Sequence, residues 1–271
     1  MRNKIEIKNL SVTYAAKGGQ PFTALEDVSV TVADGEFVCV IGSSGCGKST
    51  LLSVLGGLLP ATAGSALIDG EPVRGTGTDR GVVFQHYSLF PWMTAKDNIA
   101  FGLKQAYRKM PADERARVAD EYLEKVGLAG AGEKFPGQLS GGMQQRVAIA
   151  RALAMDTDIL LMDEPFGAID AKNRTVLQEL LLELWEGGAG GRKTIVFVTH
   201  DVDEAILLAD RIVMLTNSPG RVGRVFDVPF ARPRHRAELV RTHEYHALRD
   251  ELMAIFFHDV GDKIGGAEVV L

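Results

Sequence analysis

The strongest chemical signal in the chain is the run Gly42-Ser43-Ser44-Gly45-Cys46-Gly47-Lys48-Ser49. Its spacing is G-x-x-x-x-G-K-S. In such a loop the glycines let backbone N–H groups converge on phosphate oxygens, and the helix that follows adds the positive end of its dipole. Lys48 would neutralise the terminal phosphates, the Ser49 hydroxyl would ligate Mg²⁺, and Thr50 continues the helix start. A glycine-rich turn between a strand and a helix could carry similar letters. Here the apolar run Phe37 to Ile41 precedes the loop, and Leu51, Leu52, Leu55 and Leu59 follow at helical spacing, so context and letters agree.

Other residues offer matching chemistry. Asp163 and Glu164 close the apolar run Ile159 to Met162, and carboxylates delivered by a buried strand call for a cation, because buried charge without a partner is costly. Asp163 would serve Mg²⁺ and Glu164 would polarise an attacking water as general base. The plain alternative is an acidic loop capping a strand. Ser140-Gly141-Gly142, after Leu139, opens a helix expected from Gln144 to Met155. Ser140 suits an N-cap, and the glycines expose the first N–H groups to an anion, although a simple cap would read the same way. His200 ends the run Ile195 to Thr199, and Gln85 follows Val82-Val83-Phe84. Taken singly, both are more readily structural. Lys48, Glu164 and His200 nevertheless all fall at the ends of apolar runs, where a parallel sheet gathers its ligands. Cys46 lies beside Lys48 in the phosphate loop, so a lowered thiol pKa with sensitivity to alkylation or oxidation is one expectation; a small residue that fits the loop is the plainer one. Cys39 is expected in the core.

The elements that must position these groups follow two grammars. Ile5, Ile7, Leu10, Val12 and Tyr14, and later Val28, Val30 and Val32, nearly alternate with polar residues, as antiparallel strands do. Asp34-Gly35 and Asp69-Gly70 are tight-turn dipeptides. From Phe37 onward the runs are continuously apolar (Phe37–Ile41, Ile159–Met162, Thr194–Thr199, Arg211–Leu215) and alternate with helical segments, which implies a parallel sheet with crossover helices. Between Gln85 and Gln138 the spacing turns helical, as at Val118, Leu123 and Val126, and reads as an inserted helical subdomain. Gly187 to Gly191 is a loop before the strand from Thr194. The tail from Pro229 has helical spacing at Leu239, Leu248, Leu252 and Ile255, then frays into a glycine-containing end.

Composition narrows the function. The chain has 271 residues, 46% hydrophobic, with a formal net charge of -5. Its one basic-looking stretch, Arg232 to Arg241, is short and interleaved with His235 and Glu238, which argues against nucleic acid as a partner. No apolar stretch approaches the roughly 20 residues needed to span a bilayer, and Met1 to Leu10 lacks the apolar block of a secretion signal. The 2 cysteines have no metal-ligand spacing. These features imply a cytoplasmic chain that meets a membrane only through a partner.

Together the motifs resemble the ATP-binding cassette (ABC) ATPase family from about Ile5 to Val228, and Leu139 to Arg146 is the specific part, because the phosphate loop alone is shared by many nucleotide hydrolases. The resemblance implies an α/β fold: a P-loop NTPase core with a mainly parallel sheet, an N-terminal antiparallel β subdomain and a helical subdomain inserted at about 86–158. The ATPase domain would span 1–228 and a helical tail 229–271. The resemblance further assigns Tyr14 to adenine stacking, Gln85 to the loop that senses Mg²⁺ and the membrane partner, and His200 to a switch. Gly167-Ala168-Ile169-Asp170 matches the loop joining two subunits, with Ile where Leu is more usual. Two copies would pack head to tail, so that Ser140, Gly141 and Gly142 of one close on the ATP held by Lys48 of the other. Within the family, Leu89 to Thr94, Asn98 to Leu103 and Asn217-Ser218-Pro219-Gly220-Arg221 are similar to the group importing nitrate, sulfonates or taurine. The aromatic-rich stretch Tyr87 to Phe101 is expected to supply part of the groove for a membrane partner, or else the core of the helical subdomain. The implied partners are a second copy, transmembrane permease subunits and, indirectly, a solute-binding protein, with the chain peripheral on the inner face of the membrane. A soluble cassette without a membrane partner and an exporter motor are the alternatives. The stretch after Val228 is too short for the large regulatory domain that some importer ATPases carry.

Overall fold

The computed structural model describes residues 2–15, 19–86, 88–186 and 192–264, with 257–264 described by backbone alone. The chain forms two compact units, one of Met1–Gly75 with Phe197–Leu271 and one of Thr76–Val196.

In the first unit, β1 (Asn3–Tyr14), β2 (Phe22–Ala33), β4 (Ala63–Ile68) and β5 (Glu71–Pro72) form an antiparallel sheet in the order β2-β1-β4-β5. Ile5, Ile7, Leu10 and Val12 are buried, as a strand of period 2 with one wet face requires. The alternation breaks between Ile7 and Leu10, where the register against β2 shifts and Asn9 takes a φ of 48°. Asn9 is held there by its N–H on Ser29 Oγ at 2.8 Å and its amide on Asp27 Oδ1 at 2.7 Å, so a bulge restores the inward set. The continuous run Phe37–Ile41 is β3, buried throughout and parallel to β9 (Arg211–Leu215); β10 (Val222–Asp227) adds antiparallel to β9. That strand is absent from the sequence reading, because its residues Gly223, Arg224 and Val225 are exposed and show no apolar run.

The helices of this unit are α1 (Lys48–Leu55), α6 (Val202–Leu208), α7 (Arg236–Leu239) and α8 (His243–Ile264). The tail begins without helix. Arg234, near-buried, donates to the carbonyls of Ile206 (3.1 Å), Leu207 (3.3 Å) and Ala209, and Arg232 to that of Leu208 (2.6 Å). Carbonyls that a helix end leaves over thereby acquire donors.

In the second unit, β6 (Arg80–Val83) runs parallel to β7 (Ile159–Asp163), and β8 (Thr194–Val198) lies on the other side of β7, its last two residues belonging to the first unit. The expected helical insertion is present as α2 (Ala95–Ala106), α3 (Ala112–Lys125), a 3₁₀ turn at Pro136–Gln138 and α4 (Gly141–Ala154); α5 (Ala171–Glu186) follows β7. α3 stops where expected, with Gly127 at φ 68° and the Leu128 N–H reaching back to the Leu123 carbonyl at 2.7 Å. α4 starts earlier than expected, at Gly141 instead of Gln144. The Ser140 side chain accepts from the Met143 N–H at 3.3 Å, which draws both glycines into the first turn. The glycine cluster Gly187 to Gly191, Tyr87 and the end of the tail lie outside the described residues. Among the described residues no helix is long and apolar enough to cross a membrane.

Candidate functional site

The phosphate-loop half is built at the end of β3. Gly47 is the N-cap of α1, at φ 99°, and a Cβ there would stand 2.5 Å from Leu25 Cδ2 and 2.8 Å from the Ala24 carbonyl oxygen. Only glycine suits both the conformation and the approach to β2. α1 has no side-chain cap and no acidic residue in its first turn, so no side chain competes with an anion for those N–H groups. Lys48 is 6% exposed, and its ammonium donates to the carbonyls of Gly42 (2.8 Å) and Ser43 (3.0 Å), with Cys46 Sγ at 3.9 Å. A buried cation is thus kept over the loop by dipoles of the loop itself. Ser44, Gly45 and Ser49 are exposed around it. Tyr14, 41% exposed, pairs across the sheet with Phe22, and its hydroxyl lies 3.1 Å from Thr50 Oγ1 on α1. Cys46 corrects an expectation. Burial pushes its thiol above the ordinary value, and the neighbouring Lys48 only partly offsets this. Cys39 lies in the core, its thiol raised still further by burial.

His200 is exposed, directly after β8 and Thr199. Asp201 caps α6, its carboxylate accepting from the Glu204 N–H at 3.1 Å, while the Thr199 hydroxyl donates to Glu204 Oε2 at 2.5 Å. The junction carrying His200 is therefore pinned on its C-terminal side.

The second unit assembles the carboxylates. Asp163 is the buried last residue of β7. Glu164 follows, half-buried, in the left-handed region at φ 44°, with the Gly167 N–H on its carbonyl at 3.1 Å. Gln85, exposed beyond β6, donates from Nε2 to Glu164 Oε2 at 3.2 Å. Parallel pairing of β6 with β7 brings these two together although they are far apart in sequence. Ser140 heads α4 from an exposed position, and a Cβ on Gly142 would stand 3.0 Å from the Ala168 carbonyl, so the two glycine-bearing loops abut. Asp170 caps α5: it accepts from the Asn173 N–H at 3.1 Å and from the Asn173 amide at 2.7 Å, and these bonds hold its carboxyl below the ordinary value.

Arg151 escaped the sequence reading. Its guanidinium donates to the Ser88 carbonyl at 3.0 Å and sits 5.8 Å from the centre of the Phe90 ring, anchoring the segment after Gln85 to α4. Burial lowers its pKa. A Cβ on Gly102 would stand 2.9 Å from Arg151 Cγ, so this glycine makes room on α2 for the arginine stem. The signal was available as a lone arginine inside the apolar run Ala148 to Leu153.

Residues 25–167 match the family model described as ABC transporter. The nitrate import ATP-binding protein NrtD of Synechococcus elongatus is 50% identical over 88% of this chain and 86% of its own length. The bicarbonate transport ATP-binding protein CmpC of the same organism is 46% identical over 92% of this chain, which spans 37% of that longer protein. Among solved structures, the ATP-binding cassette MJ0796, as a dimer in a post-hydrolysis state bound to ADP and Pi, matches with a TM-score of 0.75 at 35% identity, covering 84% of this chain and 100% of that one.

Proposed function

The chain belongs to the ABC transporter family, and on that footing we propose that it is the ATP-hydrolysing motor subunit of an importer for a small oxyanion. The observation that carries the solute class is the 50% identity to a nitrate import ATP-binding protein; the bicarbonate-transport relative supports the same class of ion. Residues 1–228 are the ATPase domain and 229–271 an appended tail. ATP would lie with its phosphates on Gly42 to Ser49, the Lys48 ammonium and the Thr50 end of α1, and with adenine against Tyr14. Ser49, Gln85 and Asp163 offer a hydroxyl, an amide and a carboxylate oxygen, the hard donors that Mg²⁺ prefers, and the ion when bound would neutralise phosphate charge. Glu164 takes the proton of the attacking water, and His200 donates to the terminal phosphate. Ser140, Gly141 and Gly142 present the N-terminus of α4 to the nucleotide of a second copy, with Asp170 in the loop between subunits. Permease subunits, a solute-binding protein, and a place on the inner face of the membrane complete the reading.

Two variants test the shared site. Lys48→Ala loses the phosphate cation and Ser140→Arg blocks the second helix end, so each alone is inactive. Co-expressed, they form mixed dimers with one intact composite site, and ATP turnover returns. A mixture no more active than its parts overturns the head-to-tail arrangement. For the solute, vesicles holding the chain with its membrane subunits and solute-binding protein take up labelled nitrate only when ATP is supplied; uptake indifferent to Lys48→Ala overturns the motor role.

A further inference from the structure

In the first unit the segment Asn217-Ser218-Pro219-Gly220-Arg221 follows β9 and runs along the back of the phosphate loop. The Ser43 hydroxyl donates to Asn217 Oδ1, which ties a side chain of the phosphate loop to this second loop. Gly220 lies closer still. A Cβ there would stand 2.0 Å from the Cys46 carbonyl oxygen and 3.2 Å from Leu25 Cδ2. Gly220 has no left-handed φ, so its glycine answers to the contact alone. The Gly220 N–H donates to the Ala24 carbonyl at 2.9 Å, and the Gly220 carbonyl accepts from the Glu26 N–H at 2.9 Å, forming a parallel bridge to Leu25 on β2. Arg221 closes the arrangement. Its guanidinium meets Glu26 Oε2 at 2.7 Å, and its N–H donates to Thr216 Oγ1 at 3.1 Å.

The phosphate loop is therefore enclosed from two sides. β2 approaches Gly47 through Ala24 and Leu25, and the 216–221 loop approaches Ser43 and Cys46. At the near end, a Cβ on Gly42 would stand 2.7 Å from the Leu215 carbonyl. Backbone N–H groups recognise phosphate only if their directions are set before the ligand arrives, because ordering a glycine-rich loop on binding subtracts from affinity. Lys48 supplies part of that order through its bonds to the Gly42 and Ser43 carbonyls, but the glycines among them remain the most conformationally free residues. A mould outside the loop adds the constraint they lack.

We propose that the Thr216–Arg221 loop is that mould, and that Asn217, through its bond to the Ser43 hydroxyl, is a positioning residue for ATP binding. The proposal rests on reading Gly42 to Ser49 as the phosphate site. Asn217 itself does not touch nucleotide. It acts by fixing Ser43, and hence the turn of backbone from Gly42 to Cys46.

The test is a double-mutant cycle read by equilibrium binding of a fluorescent ATP analogue to the whole chain, alongside steady-state hydrolysis and thermal melting. Loss of one hydrogen bond from a preorganised loop weakens binding by about three- to tenfold. Asn217→Ala and Ser43→Ala are each expected to do this, and the double variant to be no weaker than either single one. KM for ATP rises with them while kcat stays within about twofold, since the change precedes chemistry. Gly220→Ala, which forces the Cys46 carbonyl aside, weakens binding more than either. Additive losses in the double variant overturn the Ser43–Asn217 link, and so does a binding loss matched by a fall in melting temperature that Ser43→Ala shares. Native affinity in both Asn217→Ala and Gly220→Ala overturns the mould. Lys48→Ala separates the two levels. If it abolishes binding while the Asn217 and Gly220 variants bind normally, the phosphate site stands and the mould falls; if Lys48→Ala binds normally, the reading of the site itself fails.

Discussion

Glu164 combines two features that substitution can pull apart, because its side chain is the proposed general base and its backbone stands at φ 44°. A non-glycine residue in the left-handed region costs roughly 1–2 kcal/mol. Replacing Glu164 by Ala or by Gly removes the carboxylate and its contact with Gln85 equally, so the difference between the two variants isolates the backbone. In an ordinary strand or helix, Gly is less stable than Ala by about 0.5–1 kcal/mol. Here the order inverts, with the relieved strain outweighing the extra chain entropy and leaving Gly ahead by about 1 kcal/mol. For a chain of this size that is roughly 2–4 °C in melting temperature. Glu164→Gln keeps the backbone cost, and its amide oxygen still accepts from Gln85, so its stability stays near native. Its hydrolysis falls by about 10²- to 10⁴-fold, the usual contribution of a general base, equivalent to about 3–5 kcal/mol of barrier. Phosphate release measures the rate, scanning fluorimetry the stability, and a sizing column with ATP the dimer that accumulates when hydrolysis stops. If the Ala variant melts above the Gly variant, the strain argument is refuted. If Glu164→Gln turns ATP over at the native rate, the general base lies elsewhere.

Three further predictions use other parts of the molecule. Because burial raises the Cys46 thiol, iodoacetamide at pH 7.5 should modify it at least about tenfold more slowly in the native chain than in urea, as followed by peptide mass spectrometry; rapid native labelling would restore the activated-thiolate view. Arg151→Ala should cost about 2 kcal/mol, since it removes a charged donor from the Ser88 carbonyl, and denaturant titration reads this directly. Burial pushes the Asp203 carboxyl up, but hydrogen bonds from Tyr245 at 2.6 Å and Arg249 at 2.7 Å, with the charges of Arg249 and Arg236, outweigh it and leave the pKa lowered. Its stabilising contribution is therefore complete above the ordinary aspartate pKa near 4 and is lost as pH falls through the lowered one. Hydrogen exchange in the first turns of α8 should accelerate over that window in the native chain and show no such dependence in Asp203→Asn.

The elements with a strong period were legible in the residues: β3, β7, β8 and β9 as continuous apolar runs, α1 after its glycine loop, α3 up to Gly127. Asp163 closes one of these runs, Glu164 follows it directly, and His200 stands just past β8. What could not be read were pairings between distant segments. The Gln85 contact with Glu164 depends on β6 lying beside β7, and the Arg151 bond to Ser88 on Gly102 admitting the arginine stem. A local pattern carries no record of either. The start of α4 was misplaced because a glycine pair argues against helix by propensity, whereas a serine cap with a bond to Met143 argues for it with comparable energy. For Cys46 the plainer of the two expectations, a small residue that fits the loop, agrees with its burial. The charge of Lys48 and desolvation both act on the thiol, and in a buried loop desolvation is the larger.

The tail shows how far such long-range ties reach into the site. α6 runs only from Val202 to Leu208 and begins just past His200. A helix that short is not stable by itself, because the cost of nucleating a helix exceeds what two turns of hydrogen bonds return. Its N-terminal end is held locally by Asp201 and Thr199, but also by Tyr245 and Arg249 on α8 through Asp203. Its C-terminal carbonyls are held by Arg232 and Arg234, from the stretch before α7. Both ends of the element that fixes the direction of chain beyond His200 thus depend on residues after Val228. The stretch after Val228 is, in physical terms, the outer support of the histidine junction.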